Sequence, residues 1–430
     1  VSRDHVGNQA EKYIGNTTLE SDRQLDYASV ENNTRASLTH FVVSDTWQWK
    51  YGINATARQS SLDMWSLRYN HDPSVAGLDT ADYQSEVLFG SFGAFTHLTK
   101  NYLDNRLTTS AGLRLDAHTL NLNSVNPLAQ LSPRMSAQYH INPSWAVQGS
   151  LGRYTQLPSA ITVLANAAKN WSRYSAPAKV SQATAGIEFQ NGETYRFSLE
   201  GYYKRYNDLP FLLEDNISFT QAIGAYVAVG DQVSSSIADG RSYGFELFLQ
   251  QKLKKTYWWT MSYNFGYSET RRSSSFDWTP TVWDNRHSVN LVLGKVWGKG
   301  WQIGAKYRWA TGTPYTPFDG DLSAQATNWD VLQRGIFDMS NPMSQRLASY
   351  SVIDVRLDKT YNKKKYSLTW FLDLQNFTSS AIPLMPYLTV DRDTDGNPMV
   401  DPATPGSYSV KTIASDTGRL LPTIGLILEI

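Results

Sequence analysis

The chain has 430 residues, with 39 basic and 39 acidic side chains, 14 Trp, 25 Tyr and no cysteine. Balanced charge gives no electrostatic case for nucleic-acid binding, which would need a basic stripe, and zero Cys excludes a disulfide scaffold, a thiolate zinc site and a Cys nucleophile. Aromatics reach 13% although mean hydropathy is −0.42, and no run approaches the roughly 18 apolar residues of a membrane helix.

Residues 1–32 show no clear alternation and read as the remnant of an outer loop. The chain opens at Val1 without Met, a basic segment or a signal-like apolar run, which reads as a mature terminus or a cut. From about Asn33 onward, apolar and polar residues alternate in the strand period. Trp47, Trp49, Tyr51, Ile53 and Ala55 share one face, against Gln48, Lys50, Gly52, Asn54 and Thr56. Tyr195, Phe197, Leu199 and Tyr203 oppose Arg196, Ser198, Glu200 and Lys204. Trp259, Met261, Tyr263, Phe265 and Tyr267 oppose Thr260, Ser262, Asn264 and Gly266, and Trp301, Ile303, Ala305, Tyr307 and Trp309 oppose Gln302, Gly304, Lys306 and Arg308.

About fifteen such segments occur, most of them roughly 9 to 13 residues long, which is the length of a tilted membrane strand. Short links (Ile141–Ser144, Gln190–Thr194, Lys254–Tyr257, Trp297–Trp301, Tyr361–Lys365) alternate with long ones (Thr155–Val180, Asn207–Arg241, Arg271–Arg286, Thr311–Tyr350, Thr378–Gly418). Such parity predicts an all-β, transmembrane antiparallel β-barrel, with short turns on one side of the membrane and long loops on the other. Trp145, Trp258, Trp259, Trp297, Trp301 and Tyr366 would form an interfacial girdle. Arg114, Asp116, Arg134, Glu188, Arg196, Glu200, Lys306, Asp354, Arg356 and Asp373 would line the lumen, because charge facing lipid costs several kcal/mol near the midplane. Counting back from a last strand at Gly418–Ile430 places Asn33–Val43 on the descending side of a long loop. An odd strand count cannot close a normal bacterial barrel, and an open edge in lipid is not viable. The chain therefore reads as the C-terminal part of a larger barrel.

Three constellations invite chemistry. Asp391, Asp393 and Asp395 before Gly396 have the spacing of a calcium loop, but position twelve is Pro402 where a bidentate Glu is needed. A polar turn is the plainer reading of a possible Ca2+ site. Asp284, Arg286 and His287 at a loop re-entry could suggest acid–base work, but a rim cluster orienting the loop explains them better, since no oxyanion donor or third group can be named. Trp171, Arg173 and Tyr174, following a short helix expected over Ile161–Asn170, combine with Trp278, Trp283, Tyr315 and Trp329 as candidate ligand anchors at an outer vestibule. Self-packing of long loops is the competing account of these aromatics. No catalytic set is expected, and no cofactor beyond that calcium.

One region carries a family likeness. Gly244–Leu247 (Gly-Phe-Glu-Leu), Trp278-Thr279-Pro280, Trp283–Ser288 (Trp-Asp-Asn-Arg-His-Ser) and Gly312–Pro317 (Gly-Thr-Pro-Tyr-Thr-Pro) follow one another in the order seen late in a receptor barrel. Asp354–Leu357, Asp373–Phe377 and Leu421–Leu426 continue it. Together these segments resemble TonB-dependent outer-membrane receptors, nearest to the Bacteroidota type with a carboxypeptidase-regulatory-like N-terminal domain. The resemblance spans roughly residues 33–430 and implies about 22 strands for the full barrel, of which this chain would supply strands 8 to 22. It implies import of a scarce nutrient (siderophore-iron, cobalamin, a glycan or similar), a plug domain absent from these residues, the TonB complex and outer-membrane lipid as partners, and no nucleic acid. A passive porin and an outer-membrane barrel enzyme are the alternatives. Ile430 stands where the family commonly ends in Phe.

Overall fold

A computed structural model describes residues 2–13, 19, 22–222, 230–254 and 256–430. The alternating segments form one antiparallel sheet of 18 strands, two of which have only two residues. The long strands are β1 (Ser2–Tyr13), β2 (Arg23–Val43), β3 (Trp47–Asn70), β4 (Gly77–Tyr102), β5 (Leu107–His118), β6 (Ser132–His140), β7 (Trp145–Gln156) and β8 (Ala178–Asn191). They continue as β9 (Tyr195–Leu212), β10 (Ser234–Lys254), β11 (Tyr257–Arg271), β12 (His287–Trp297), β13 (Trp301–Ala310), β14 (Tyr350–Asn362), β15 (Ser367–Gln375) and β16 (Leu421–Glu429). Each pairs with its chain neighbour, and among the described residues β1 and β16 are paired on one side only.

Residues 1–32 depart from the loop expected of them. β1 pairs from Ser2↔Arg35 to Tyr13↔Arg23, and β2 begins at Arg23 instead of Asn33. The sheet thus has one strand more than the numbering 8 to 22 provides. The missed strand has a physical cause: it pairs with the upper half of β2, past the segment where an apolar outer face begins, so its own sequence carries no greasy side. The expected direction of Asn33–Val43 agrees with this arrangement, since β1 rises towards the long-loop end and β2 descends.

Register sorts the residues into two faces. On β13 and β14, Lys306 stands opposite Asp354, Gly304 opposite Arg356 and Gln302 opposite Asp358, all on the inner side. Ile303, Ala305 and Tyr307 point outward with Leu357, Val355 and Ile353. Inner charges largely satisfy one another along or across strands: Arg114–Asp116 at 2.6 Å, Arg196–Glu188 at 3.1 Å, Arg356–Asp358 at 2.9 Å and Arg308–Asp354 at 3.7 Å. An outward aromatic belt marks the short-turn end. Trp297 stacks on Trp301 with centroids 6.1 Å apart, Trp301 meets Trp370 edge-on at 5.9 Å, and Trp145 meets Phe189 at 4.8 Å. Trp258 is an exception among the girdle candidates. It shares the inner phase of Thr260 and Ser262, and its indole covers Gly294. At the turn beneath this belt, Gly300 adopts φ +79° and a Cβ there would meet the Thr360 carbonyl at 2.3 Å, so only glycine fits.

Candidate functional site

β3 and β4 are 24 and 26 residues long, about twice what a bilayer crossing needs. Their outer face is apolar from Trp47 to Ala57 and from Leu98 to Leu88, as on a lipid-facing wall. Beyond that band it turns polar. Gln59 donates to Glu86 at 2.7 Å and Gln84 donates to Asp63 at 3.0 Å on the outside. The inner face changes the opposite way, from Lys50, Asn54 and Arg58 to buried Leu62 and Met64 beside Tyr27, Tyr83 and Val87. The strands keep one frame while their surroundings exchange.

The inner apolar patch is roofed by helix α1 (Ala160–Ala168), which comes from the long loop between β7 and β8. The helix forms because Ser159 caps it, accepting from Thr162 N–H at 3.4 Å, and because Ile161, Leu164 and Ala165 fall on one side. Asn170 at φ +56° ends it. Leu164 is 2% exposed against Leu25, Leu62 and Met64. Fully buried Asn166 ties the loop to the start of β10, donating to the Ser234 carbonyl at 3.0 Å and accepting from Ser234 N–H at 2.8 Å.

At the tip of the β3–β4 hairpin, buried Arg68 faces acids from another loop. Its guanidinium lies 2.5 Å from Glu214, 3.7 Å from Asp231 and 4.0 Å from Asp79. Tyr83 donates its hydroxyl to the Asp231 carbonyl at 2.7 Å, and Gln232 donates to Asp215. One guanidinium thus serves several carboxylates. Burial pushes Asp231 up to about 7 against the opposing pull of Arg68, and burial likewise raises Glu214 and Asp215. Burial lowers His71, partly offset by Asp215, Asp319 and Asp338. The loop between β13 and β14 reaches the same hairpin and the start of β2: Arg334 donates to the Leu67 carbonyl at 2.8 Å, and Gln24 of β2 donates to the Val331 carbonyl at 3.4 Å. Three long loops therefore converge on one ribbon. A cavity of about 570 Å³ remains beneath, between the start of α1 and the inner side of β1, β2 and β3.

The candidate anchors do not assemble into one vestibule. Trp171 and Tyr174 meet at 4.3 Å with Arg173 4.7 Å over the Tyr174 ring, as a local trio. Trp278 lies outside the wall, where Arg205, Arg241 and Arg271 approach its ring at 5.1, 4.4 and 4.4 Å. Arg205 and Arg241 lie opposite each other, in phase with outward Tyr203 and Tyr243, which takes Trp278 away from the mouth. Trp283 is 64% exposed. Tyr315 sits opposite Gln345 in a two-residue ribbon. Trp329, on helix α2 (Ala326–Leu332), is 3% exposed and packs with Leu388, Val390 and Phe318 as the core of a loop module. For Trp329 self-packing wins, because its ring is spent on that core.

The rim cluster behaves as a structural hub. Asp284 is fully buried, accepting from Ser268 N–H at 2.8 Å, Arg286 at 2.9 Å and Arg346 at 2.5 Å. His287 pairs instead with the Tyr263 hydroxyl at 2.9 Å. Asp391 forms an ion pair with Lys411 at 2.6 Å, and Asp393 accepts from Asp395 and Asn397 N–H in a tight turn. No group of three potential metal-ligating side chains converges among the described residues. Sequence reasoning missed Arg68, Glu214, Asp215 and Asp231. Their signal was a lone Arg on an inner strand face and acids in a long loop, and nothing local joins them.

The protein family described as "TonB dependent receptor-like, beta-barrel" matches residues 2–377. Among solved structures, the copper transporter OprC superposes with a TM-score of 0.62 at 14% identity, covering 99% of this chain and 62% of that one. The ferric citrate transporter FecA gives 0.57 at 11% identity, over 99% and 58%. The ferric yersiniabactin uptake receptor FyuA from Yersinia pestis gives 0.57 at 12%, over 94% and 55%. The chain thus spans about three fifths of the length of these structures, and likeness at this identity concerns the fold. No curated protein sequence matches it.

Proposed function

The chain belongs to the TonB-dependent receptor β-barrel family, a family of outer-membrane barrels, and we propose on that premise that it forms the wall and capturing mouth of an energised nutrient importer. The observation that carries this reading is a polar, self-paired lumen wall beneath a roofed mouth. α1 covers the inner face of β3 and β4, and the Arg68 cluster ties a second loop over the same ribbon. A roof over the lumen obstructs free diffusion, whereas a receptor that must hold scarce cargo before transport can use it for capture.

The residues divide the work. Outward Ile53, Phe92, Leu199 and Ile303 seat the wall in lipid. Inward Arg114, Asp116, Arg356 and Asp358 offer a fixed polar surface to a lumen-filling plug domain, which the TonB complex would pull. Because the inner ion pairs are already closed within the wall, a plug can meet them without leaving a bare buried charge behind when it moves. The loops capture cargo, and no covalent chemistry is required of the chain. The cargo is a small-molecule or oligomeric nutrient; the neighbouring structures are named for copper and for ferric chelates.

Uptake of radiolabelled nutrients by the native cell, with and without its TonB machinery, tests the proposal. Uptake that depends on both this gene and TonB is expected. Gene-dependent uptake that survives loss of TonB would overturn it in favour of passive diffusion.

A further inference from the structure

The cavity beneath α1 has the size of a small-molecule pocket, about 570 Å³, within the roughly 300–1,000 Å³ usual for such sites. Its lining is of two kinds. Leu25, Leu62, Ile161 and Leu164 supply an aliphatic side, continuous with the core that seats the helix. Asn8, Ser29, Ser60 and Ser159 supply neutral hydroxyl and amide groups.

Ser60 points the way to a ligand. It is 4% exposed, and its Oγ has no hydrogen-bond partner among the described residues. A buried hydroxyl left unsatisfied costs free energy, and rotation of this short side chain about χ1 towards the cavity it lines would let a ligand group remove that cost.

The two charged lining residues are already committed. Glu31 accepts from Asn33 at 2.6 Å and lies 3.7 Å from Arg58, and Lys12 is engaged within the protein. An ionised ligand entering here would lose its hydration without gaining an uncommitted counter-charge. An uncharged ligand with an apolar body and hydroxyl or amide groups meets both kinds of lining.

We propose that this cavity binds an uncharged amphipathic organic ligand, with Ser60 as a hydrogen-bonding contact and α1 as its roof. As an assignment of cargo class it rests on the importer reading above.

Three probes with one hydrocarbon body decide the matter: N-acetyl-leucinamide (uncharged), N-acetyl-leucinate (anionic) and leucinamide (cationic). Binding is read by saturation-transfer difference NMR on the whole receptor in lipid nanodiscs. The uncharged probe should bind at least about tenfold more tightly than either ion. Ser60→Ala, which keeps the roof intact, should weaken it about threefold to tenfold, the usual worth of one hydrogen bond. Ile161→Trp, which fills the cavity, should abolish it. Folding of each variant is checked independently by heat-modifiable electrophoretic mobility. Equal or tighter binding of either ion, no binding of any probe, or uncharged-probe binding unchanged in both variants would overturn the inference. The assay involves no energised transport, so TonB-independent uptake would sink the importer reading and leave this result standing.

Discussion

Arg68 Nη2 lies 2.5 Å from Glu214 Oε2, and that contact binds the tip of the β3–β4 hairpin to the loop between β9 and β10. The same guanidinium faces Asp231, whose side chain is 2% exposed. Removing it leaves both acids in a poor solvent. Arg68→Gln should therefore destabilise the docked loop by about 3–5 kcal/mol, the cost of breaking a buried pair. Hydrogen exchange over residues 213–222 and 230–233 should rise sharply, with exchange in β12 and β13 unchanged.

The same cluster predicts a pH dependence. Asp231, raised by burial to about 7, keeps a proton in the docked loop at pH values where it would release it in water, and burial shifts Glu214 and Asp215 in the same direction. The Asp231 contribution is complete below the free carboxylate value near 4, and it is lost as pH rises through about 7. His71 opposes this. Its lowered pKa gives a contribution present above about 6.5 that fades at lower pH. Arg68, Asp79, Lys169, Asp319 and Asp338 complete the charged surroundings. Limited proteolysis within this loop should be slower at pH 6.5 than at pH 8, after correction for protease activity. Faster cleavage at pH 6.5 would contradict the assignment.

Asp284 holds Arg286, Arg346 and the Ser268 amide at once. Asp284→Asn keeps the shape but loses the charge that serves two guanidiniums. Charge-assisted bonds are worth about 1.5–3 kcal/mol each, so the segments around residues 281–286 and 345–347 should loosen together. Concerted exchange at both segments in hydrogen-exchange mass spectrometry is the expected signature. Loosening of one alone would separate them.

Trp329→Ala should cost the loop module about 3–5 kcal/mol, as for other buried aromatics. None of the residues of this core belongs to the large sheet of the wall. Heat-modifiable mobility should therefore stay native while the ribbon of Ile382–Val390 and Val410–Thr417 loses exchange protection. A wall that fails to assemble in this variant would contradict the separation.

Neighbouring positions on β9 test the two faces. Leu199→Arg places a charge on the lipid side and should cost about 2–4 kcal/mol near the midplane. Ser198→Arg points inward, towards the Glu188 side of the lumen, and should be tolerated. Urea-unfolding midpoints of the refolded proteins distinguish them. Equal midpoints would show that the faces are wrongly assigned.

The wall was legible in the sequence because lipid and water impose a strict two-residue period. The parity of short and long links then fixed which end is which. β1 was not legible, because Arg3, His5, Gln9 and Glu11 share one side of it and Asp4, Asn8 and Lys12 the other, leaving no greasy face. The short helix beginning near Ile161 was expected, but its seat on Leu62 and Met64 was not, since nothing local links a loop helix to a distant strand. Aromatic residues misled at the site. Trp278 and Trp329 looked alike as loop tryptophans, yet one is clasped by arginines outside the wall and the other is a core residue.

The exchange of faces along β3 constrains how this protein can change length. Below Ala57 the strand is read by lipid outside, and above Leu62 by a dry core inside, in one continuous frame. Inserting a single codon at the boundary must therefore be wrong on one side of it. If the lower half keeps its frame, Leu62 and Met64 turn into water and Ser61 and Asp63 into the core. Two inserted codons keep both halves correct. Length polymorphism among natural variants of this hairpin should accordingly come in steps of two, and single-residue insertions should be tolerated only where a bulge restores the frame before the next environment begins.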